Sequence, residues 1–296
     1  QPAIAFYDQK EGDLIYGEWN FVTKSWDFQR VDTVNDVGQY VSLAIDSNGN
    51  PHMSYLDATY GNLMYAYWNI TLQAWSTTPV DAASDVGYFT SLALDESDRP
   101  YISYYDKTNE QIKYAFKTII TWVSFPLEKV GLDGDGVVVD EAYTSIALFD
   151  AEPLNPTNYW NMRIAFYDDT NKDVRFAFAL NNAPTLPADW NIATLEGIDD
   201  VGKYVSLGIE NGTDFRHLCY YDETNRDLRY AYWDGMAWNF EIVDSAGDVG
   251  MYCSLALNGE GDPAISYYDA FLGNLKYASA FAMPLARLYL PYLVEE

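Results

Sequence analysis

One twelve-residue pattern recurs six times along this 296-residue chain and limits its possible folds more than any other feature. Each copy has an aspartate, an apolar residue six positions later and an aromatic residue eight positions later. The aspartates are Asp8, Asp57, Asp106, Asp168, Asp222 and Asp269, spaced 49, 49, 62, 54 and 47 residues apart. Because the spacing is fixed within copies and varies between them, one supersecondary unit is repeated, with insertions confined to loops.

Each repeat contains the signals of four β-strands. Short apolar runs rich in small residues, such as 41–46 and 90–95, are typical of strands buried on both faces. The segment ending at the aspartate predicts a second strand, and the segment carrying the +6 and +8 residues predicts a third. A tryptophan then marks a more polar fourth strand. Four strands ordered from most buried to most polar predict a propeller blade, so the chain is expected to be an all-β, six-bladed β-propeller of four-stranded antiparallel blades.

This repeat resembles the tandem propeller modules common in secreted bacterial proteins, over nearly the whole chain. It contains neither the S-x-D-x-G-x-x-W Asp-box of sialidases nor the Gly-His and Trp-Asp dipeptides of WD40 repeats. The resemblance therefore implies the propeller fold and says little about activity.

The repeat also predicts where the blades begin and end. The expected blades span about 1–34, 35–83, 84–131, 132–197, 198–246 and 247–284, which together form one domain over 1–284. Pro2 aligns with prolines that open the second strand of other blades, such as Pro51 and Pro100. Blade 1 is therefore predicted to lack its innermost strand. Residues 285–296 form a separate apolar strand or tail.

Charge and composition limit which classes of partner and which cellular locations are expected. Seventeen Lys and Arg against 44 Asp and Glu give a net charge of -27, which disfavours nucleic acid and anionic lipid as partners. The sequence has no run of about 20 apolar residues, so membrane insertion is not expected. The chain starts at Gln1 within a repeat, as removal of a leader would leave it, and an extracellular or cell-surface location is predicted. Cys219 and Cys253 stand at ordinary packing positions and are expected to be buried thiols.

No residue pattern points to catalysis. His52 and His217 occupy a repeat position that holds Tyr101, Arg163 or Ala264 in other blades, so we interpret it as a tolerant site. The repeated aspartates are interpreted as turn residues, with an axial carboxylate ring as the alternative. The sequence therefore predicts no catalytic residues and no enzyme.

One irregular loop predicts a metal site. The segment 131–143 replaces the usual Asp-Val-Gly turn with Asp133, Asp135, Asp140 and Glu141, separated by glycines. Clustered carboxylates suit calcium, although their spacing differs from that of an EF-hand. The alternative is a solvated acidic loop, and no other cofactor is expected.

The abundant aromatic residues raise the possibility of carbohydrate binding. Most of them fall on fixed repeat positions, where packing between blades explains them. Tyr60, Tyr159 and Trp160 lie outside those positions and are the candidate sugar-binding residues of a lectin-like propeller. Carbohydrate or a cell-surface glycan is thus a second candidate partner, beside further copies of the chain.

The C-terminal tail carries the main functional hypothesis. It is apolar at nearly every position, like a strand buried on both faces, whereas a fourth strand at the rim should alternate. It either closes its own ring or adds to the open edge of blade 1 in a neighbouring subunit, near Pro2 and Ile4, which would build a filament head to tail. The predicted assembly residues of the tail are Leu288, Tyr289, Leu290, Pro291, Tyr292, Leu293 and Val294.

We favour assembly between subunits, so the predicted function is that of a non-enzymatic extracellular structural or adhesive protein. A monomeric carbohydrate-binding propeller is the first alternative. A glycoside-cleaving enzyme is the second.

Overall fold

A computed structural model describes residues 1–83, 85–130, 141–149, 161–181, 184–210 and 212–280 of the chain. Within these ranges the chain forms 22 β-strands and a single 3-10 turn at Pro187–Asp189. The strands are β1 (Ala3–Asp8), β2 (Asp13–Asn20), β3 (Ser25–Asp32), β4 (Val37–Ile45), β5 (Pro51–Asp57), β6 (Asn62–Asn69), β7 (Ala74–Asp81), β8 (Val86–Leu94), β9 (Pro100–Asp106), β10 (Gln111–Lys117), β11 (Trp122–Lys129), β12 (Thr144–Phe149), β13 (Asn161–Asp168), β14 (Asp173–Ala179), β15 (Trp190–Glu196), β16 (Val201–Ile209), β17 (Arg216–Asp222), β18 (Asp227–Trp233), β19 (Trp238–Asp244), β20 (Val249–Leu257), β21 (Pro263–Asp269) and β22 (Asn274–Ser279).

These strands form six antiparallel sheets in chain order, which confirms the six-bladed propeller. Blades 2 to 5 have four strands each, and blade 1 has only β1, β2 and β3, so it lacks the innermost strand as predicted. Blade 6 contributes β20, β21 and β22, and its fourth-strand position falls in 281–296, outside the described residues. The inner strands β4, β8, β12, β16 and β20 contact one another in sequence around the axis.

The repeated aspartate closes the hairpin between the second and third strands of each blade. Asp57 Oδ1 accepts hydrogen bonds from the backbone N–H groups of Thr59 and Tyr60, at 3.0 and 3.2 Å. Asp168 accepts a bond of the same kind and also pairs with Arg175, at 3.0 Å. Local turn chemistry therefore accounts for the recurrence of this residue in every blade.

Neighbouring blades are joined by matched pairs of small side chains at one repeat position. The Ser54 and Ser103 hydroxyls contact the hydroxyls of Thr90 and Thr144, at 2.6 and 2.7 Å. Blades 5 and 6 place Cys219 and Cys253 at the same two positions, and both thiols are free and buried. Blades 4 and 5 place Ala165 and Val205 there, packed in one apolar cluster. Polar residues thus face polar ones at this position, and apolar residues face apolar ones.

In the described part of the chain, the first and last blades each leave apolar side chains of a sheet face exposed. Leu63, the +6 residue of blade 2, is fully buried under blade 3, whereas Leu275 of blade 6 is 64% exposed. On blade 1, Ile4 and Phe6 are 39% and 38% exposed. The tail residues predicted to add to a sheet edge, from Leu288 to Val294, lie outside the described residues. No helix in the described ranges is long and apolar enough to cross a membrane.

Candidate functional site

A cavity of about 310 Å³ lies between blades 2 and 3, on the face where the inner strands end. Blade 2 supplies His52 from the start of β5 and Tyr65 and Tyr67 from β6. Blade 3 supplies Arg99 from the loop before β9 and Lys117 from the end of β10. Antiparallel pairing sets His52 directly opposite Tyr67, so side chains distant in sequence converge on one opening.

His52 connects a tyrosine to a carboxylate. Its Nδ1 is hydrogen-bonded to the hydroxyl of Tyr65, and its Nε2 lies 3.5 Å from Asp46 Oδ2. Asp46 is held in place by the backbone N–H groups of Asn48 and Asn50, at 2.9 and 2.7 Å. A carboxylate beside Nε2 favours the tautomer with its proton on that nitrogen, which leaves Nδ1 to accept the tyrosine proton. The arrangement is therefore a proton path from Tyr65 through His52 toward Asp46.

Burial sets the protonation states along this path. It lowers the pKa of His52, and the hydrogen bond and charge of Asp46 oppose that shift only in part, so the ring is neutral near neutral pH. Burial also raises the pKa of Tyr65, which therefore holds its proton at rest. For Asp46, burial favours the protonated form, but the hydrogen bonds from Asn50 and Asn48 outweigh it and lower the pKa. At rest the shared proton therefore lies on Tyr65, and the neutral imidazole beside it has a nitrogen that can accept a proton during a reaction.

Two basic side chains border the same cavity. The Lys117 ammonium lies 5.8 and 5.5 Å from the ring centroids of Tyr65 and Tyr67, and its charge contributes to the low pKa of His52. Arg99 Nε donates a hydrogen bond to Asp95 Oδ2, at 2.6 Å. Arg99 pairs with Asp95 and Asp98 also lines the opening, so Lys117 is the cation placed to hold an anionic group there.

The arrangement of Tyr65, His52 and Asp46 is a tyrosine–histidine–carboxylate triad. Blade 5 repeats this triad without the neighbouring cations. His217 Nδ1 is hydrogen-bonded to the Tyr230 hydroxyl, and its Nε2 lies 3.2 Å from Glu210 Oε1. The positions that match Arg99 and Lys117 hold Asp262 and Ala280 in blade 6. The His217 triad is therefore an internal control for the His52 triad, with the same hydrogen bonds and a different neighbour.

The structure does not unite the site residues predicted from sequence. Tyr60 is exposed in the β5–β6 hairpin, at the opposite end of its blade from His52. Glu141 lies 2.6 Å from Lys203 Nζ. The described ranges contain no group of three or more His, Cys, Asp or Glu side chains that could hold a metal ion. The remaining predicted residues, Asp133, Asp135, Asp140, Tyr159 and Trp160, lie outside the described part of the chain, so the calcium site stays a prediction.

Sequence reasoning missed the His52 cavity because it compared equivalent positions and ignored neighbours across blades. A usable signal was present in the sequence. The repeat that carries His52 is followed directly by a repeat that carries Arg99 and Lys117, in a chain with few basic residues. No single repeat carries this combination.

No protein-family model and no curated protein matches the chain. Solved structures with a similar fold include the polysaccharide lyase Uly1, at 11% identity over 96% of this chain and 79% of that one, with a TM-score of 0.51. An ulvan lyase is 12% identical over 90% of this chain and 77% of that one, at 0.50. A protein of unknown function from Dyadobacter fermentans is 10% identical over 94% and 92%, at 0.55. At these identities the likeness shows the fold.

These neighbours nonetheless contradict the prediction of a non-enzymatic structural or adhesive protein that forms filaments, because the two named above that carry a stated activity are polysaccharide lyases. That prediction was wrong, and so was the expectation of no enzyme. The physical reason lies in the repeat alignment, which assigned His52 and the regularly placed tyrosines to packing. In the fold, Tyr65 is packed in the core as expected, but its side chain and that of His52 also line the cavity between blades 2 and 3.

Proposed function

We propose that this propeller cleaves an anionic polysaccharide by elimination, in the cavity between blades 2 and 3. The observation that carries the proposal is the Tyr65–His52–Asp46 path at the wall of a cavity that Lys117 also borders. A proton-transferring pair and a cation are the two functions that elimination from a uronic acid requires.

Each residue has a defined role in that reaction. Lys117 binds the uronate carboxylate and, by neutralising it, makes the adjacent carbon-bound proton more acidic. Tyr65 takes the carbon-bound proton as it passes its own proton to the neutral His52, so no free phenolate forms. A carbon–carbon double bond forms as the carbon–oxygen bond to the next sugar breaks. Tyr65 then gives its proton to the leaving oxygen and regains the one held on His52, so atoms and charge balance without a co-reactant.

Hydrolysis fits the cavity less well. A glycosidase usually needs two carboxyl groups free to act as acid and as base or nucleophile. Here the carboxylates near His52 hold loops in place: Asp98 accepts hydrogen bonds from the backbone N–H and the hydroxyl of Ser47, at 2.8 and 2.7 Å, and Asp46 anchors its own turn. Elimination is therefore the better match to the available groups.

The proposal includes an extracellular or cell-surface location, because a polysaccharide is too large to cross a membrane before it is cleaved. The similar fold of two polysaccharide lyases supports the view that a propeller of this architecture can carry such chemistry. Carbohydrate thereby becomes the proposed partner.

The test is a panel of uronate-containing polysaccharides incubated with the purified protein, with the ultraviolet absorbance of the unsaturated uronide as readout. Removing a proton-transfer group typically reduces kcat by about 10²–10⁴-fold. We expect that loss for His52→Asn and for Tyr65→Phe. Lys117→Met should both raise KM and lower kcat, because Lys117 binds the carboxylate and makes the adjacent proton more acidic. His217→Asn is the matched control and should leave the rate unchanged.

Equal losses in His52→Asn and His217→Asn would contradict the site. Polysaccharide binding without any unsaturated product, in the wild-type protein, would favour the carbohydrate-binding alternative over the enzyme.

A further inference from the structure

A second cavity, of about 540 Å³, opens on the propeller axis and is lined by one aromatic side chain from each of blades 2 to 6. We name this set the axial aromatic ring. Its members are Tyr40, Phe89, Tyr143, Tyr204 and Tyr252. Among the described residues blade 1 contributes no inner strand, so the ring has five members.

The spacing of these rings defines a small central space. Successive ring centroids are 4.6, 4.8, 4.4 and 4.4 Å apart, and adjacent planes differ by 46–60°, close to the rotation between blades of a six-fold propeller. In a regular hexagon the distance from corner to centre equals the side. With the five rings taken as corners of such a hexagon, of side 4.4–4.8 Å, a group on the axis lies within the range of about 6 Å for cation–π attraction from each centroid.

The backbone holds these rings in an unfavourable conformation. Tyr40, Phe89, Tyr204 and Tyr252 have φ values of 54°, 51°, 56° and 53°, in the left-handed region that bulky residues rarely adopt. Their carbonyls are used as inter-blade acceptors: Thr90 Oγ1 donates to Tyr40 O, and Cys253 Sγ donates to Tyr204 O, at 3.1 and 3.2 Å. Glycine or asparagine would satisfy the same turn with less strain, so the aromatic side chain itself accounts for the choice of residue.

The charges around the cavity favour a cation. Glu141 lines it, and Lys203 lies between Glu141 and Glu223, at 2.6 and 3.6 Å, so one ammonium faces two carboxylates. The tyrosines behind the ring donate to acidic turn residues, as Tyr88 does to Asp85 and Tyr221 to Asp248, both at 2.7 Å. A net charge of -27 adds a long-range attraction for positive ligands.

We propose that the axial aromatic ring binds a small organic ammonium group, best a trimethylammonium, on the propeller axis. The rings of blades 2 to 6 surround it, and the open mouth of the cavity admits the substituent that links it to the rest of its molecule. Enclosure of quaternary ammonium by several aromatic faces is a general recognition mode that needs no ion pair. This site is separate from the His52 cavity and does not depend on the proposed enzymatic activity.

The test compares choline with 3,3-dimethyl-1-butanol, its neutral analogue of nearly equal shape, by isothermal titration calorimetry on the full chain. We expect saturable binding of one choline per chain, with at least about tenfold weaker binding of the neutral analogue. Tyr252→Leu should weaken choline binding about tenfold, because it removes one ring at a mostly exposed position. Tyr252→Phe keeps the ring and should retain the affinity. Tyr60→Leu, far from the axis, is the matched control.

Circular dichroism and a thermal melt establish that each variant is folded. Choline binding that does not saturate, or that is matched by the neutral alcohol, would overturn the proposal, because an apolar cavity alone would then explain the result. An equal loss of affinity in Tyr60→Leu would overturn it as well.

Discussion

The contact between Gly87 and Leu63 offers a quantitative test of how neighbouring blades are joined. Gly87 belongs to the Asp-Val-Gly turn that opens β8, and its φ is +98°. An added Cβ would lie 2.8 Å from Leu63 Cα and 3.0 Å from Leu63 N, in a strand of the preceding blade. Leu63 is completely buried, so the strand cannot move away without separating the blades. Gly87→Ala should therefore be destabilising for two independent reasons.

The magnitude follows from adding the two effects. A left-handed backbone costs a non-glycine residue about 1–2 kcal/mol. Overpacking a rigid contact costs about 1–3 kcal/mol more. Gly87→Ala should thus lower the free energy of unfolding by about 2–5 kcal/mol. Gly49→Ala is the matched control, since Gly49 has a φ of +85° but no atom within 4 Å of an added Cβ, and it should lose only about 1–2 kcal/mol.

Equilibrium urea denaturation followed by tryptophan fluorescence measures both values, with refolding checked for each variant. Equal losses in the two variants would refute the reasoning, because the Leu63 contact would then contribute nothing beyond backbone strain.

Two further predictions concern buried groups. Because Ser54–Thr90 and Ser103–Thr144 already fill the positions of Cys219 and Cys253, the double variant Cys219→Ser/Cys253→Thr should stay within about 1 kcal/mol of wild type in urea denaturation. Cys219→Ser/Cys253→Val should lose about 1–3 kcal/mol, since the new hydroxyl lacks its partner, and equal stability of the two would contradict the pairing. Burial lowers the pKa of His52 and His217 below the ordinary 6.5, so the unfolded chain takes up protons that the folded chain does not. The contribution of these histidines to the free energy of unfolding should therefore be complete above pH 6.5 and should fall as the pH drops toward their folded pKa values. Melting temperatures measured between about pH 8 and about pH 5 should show this slope. The double variant His52→Gln/His217→Gln should reduce the slope.

The repeat pattern was sufficient to predict the architecture, because each blade is built from local signals. An aspartate that closes a hairpin and an apolar residue at a fixed offset act within one blade, so they are visible in a single sequence. The alignment of Pro2 with Pro51 was enough to predict that blade 1 lacks its inner strand, which the sheet order confirms. The calcium loop and the C-terminal tail fall largely outside the described residues and remain predictions.

By itself, therefore, the sequence determined the six blades, their strand order and the incomplete first blade. Only the tertiary structure decided which repeat positions meet in a cavity, since that depends on the neighbouring blade. His52 and His217 occupy the same position and make the same hydrogen bonds, yet only His52 shares a cavity with Lys117. The axial aromatic ring likewise exists only where five separate strands meet at the axis. A repeat alignment compares residues at equivalent positions of different blades. A binding site is instead formed by residues at different positions that lie in contact across two adjacent blades.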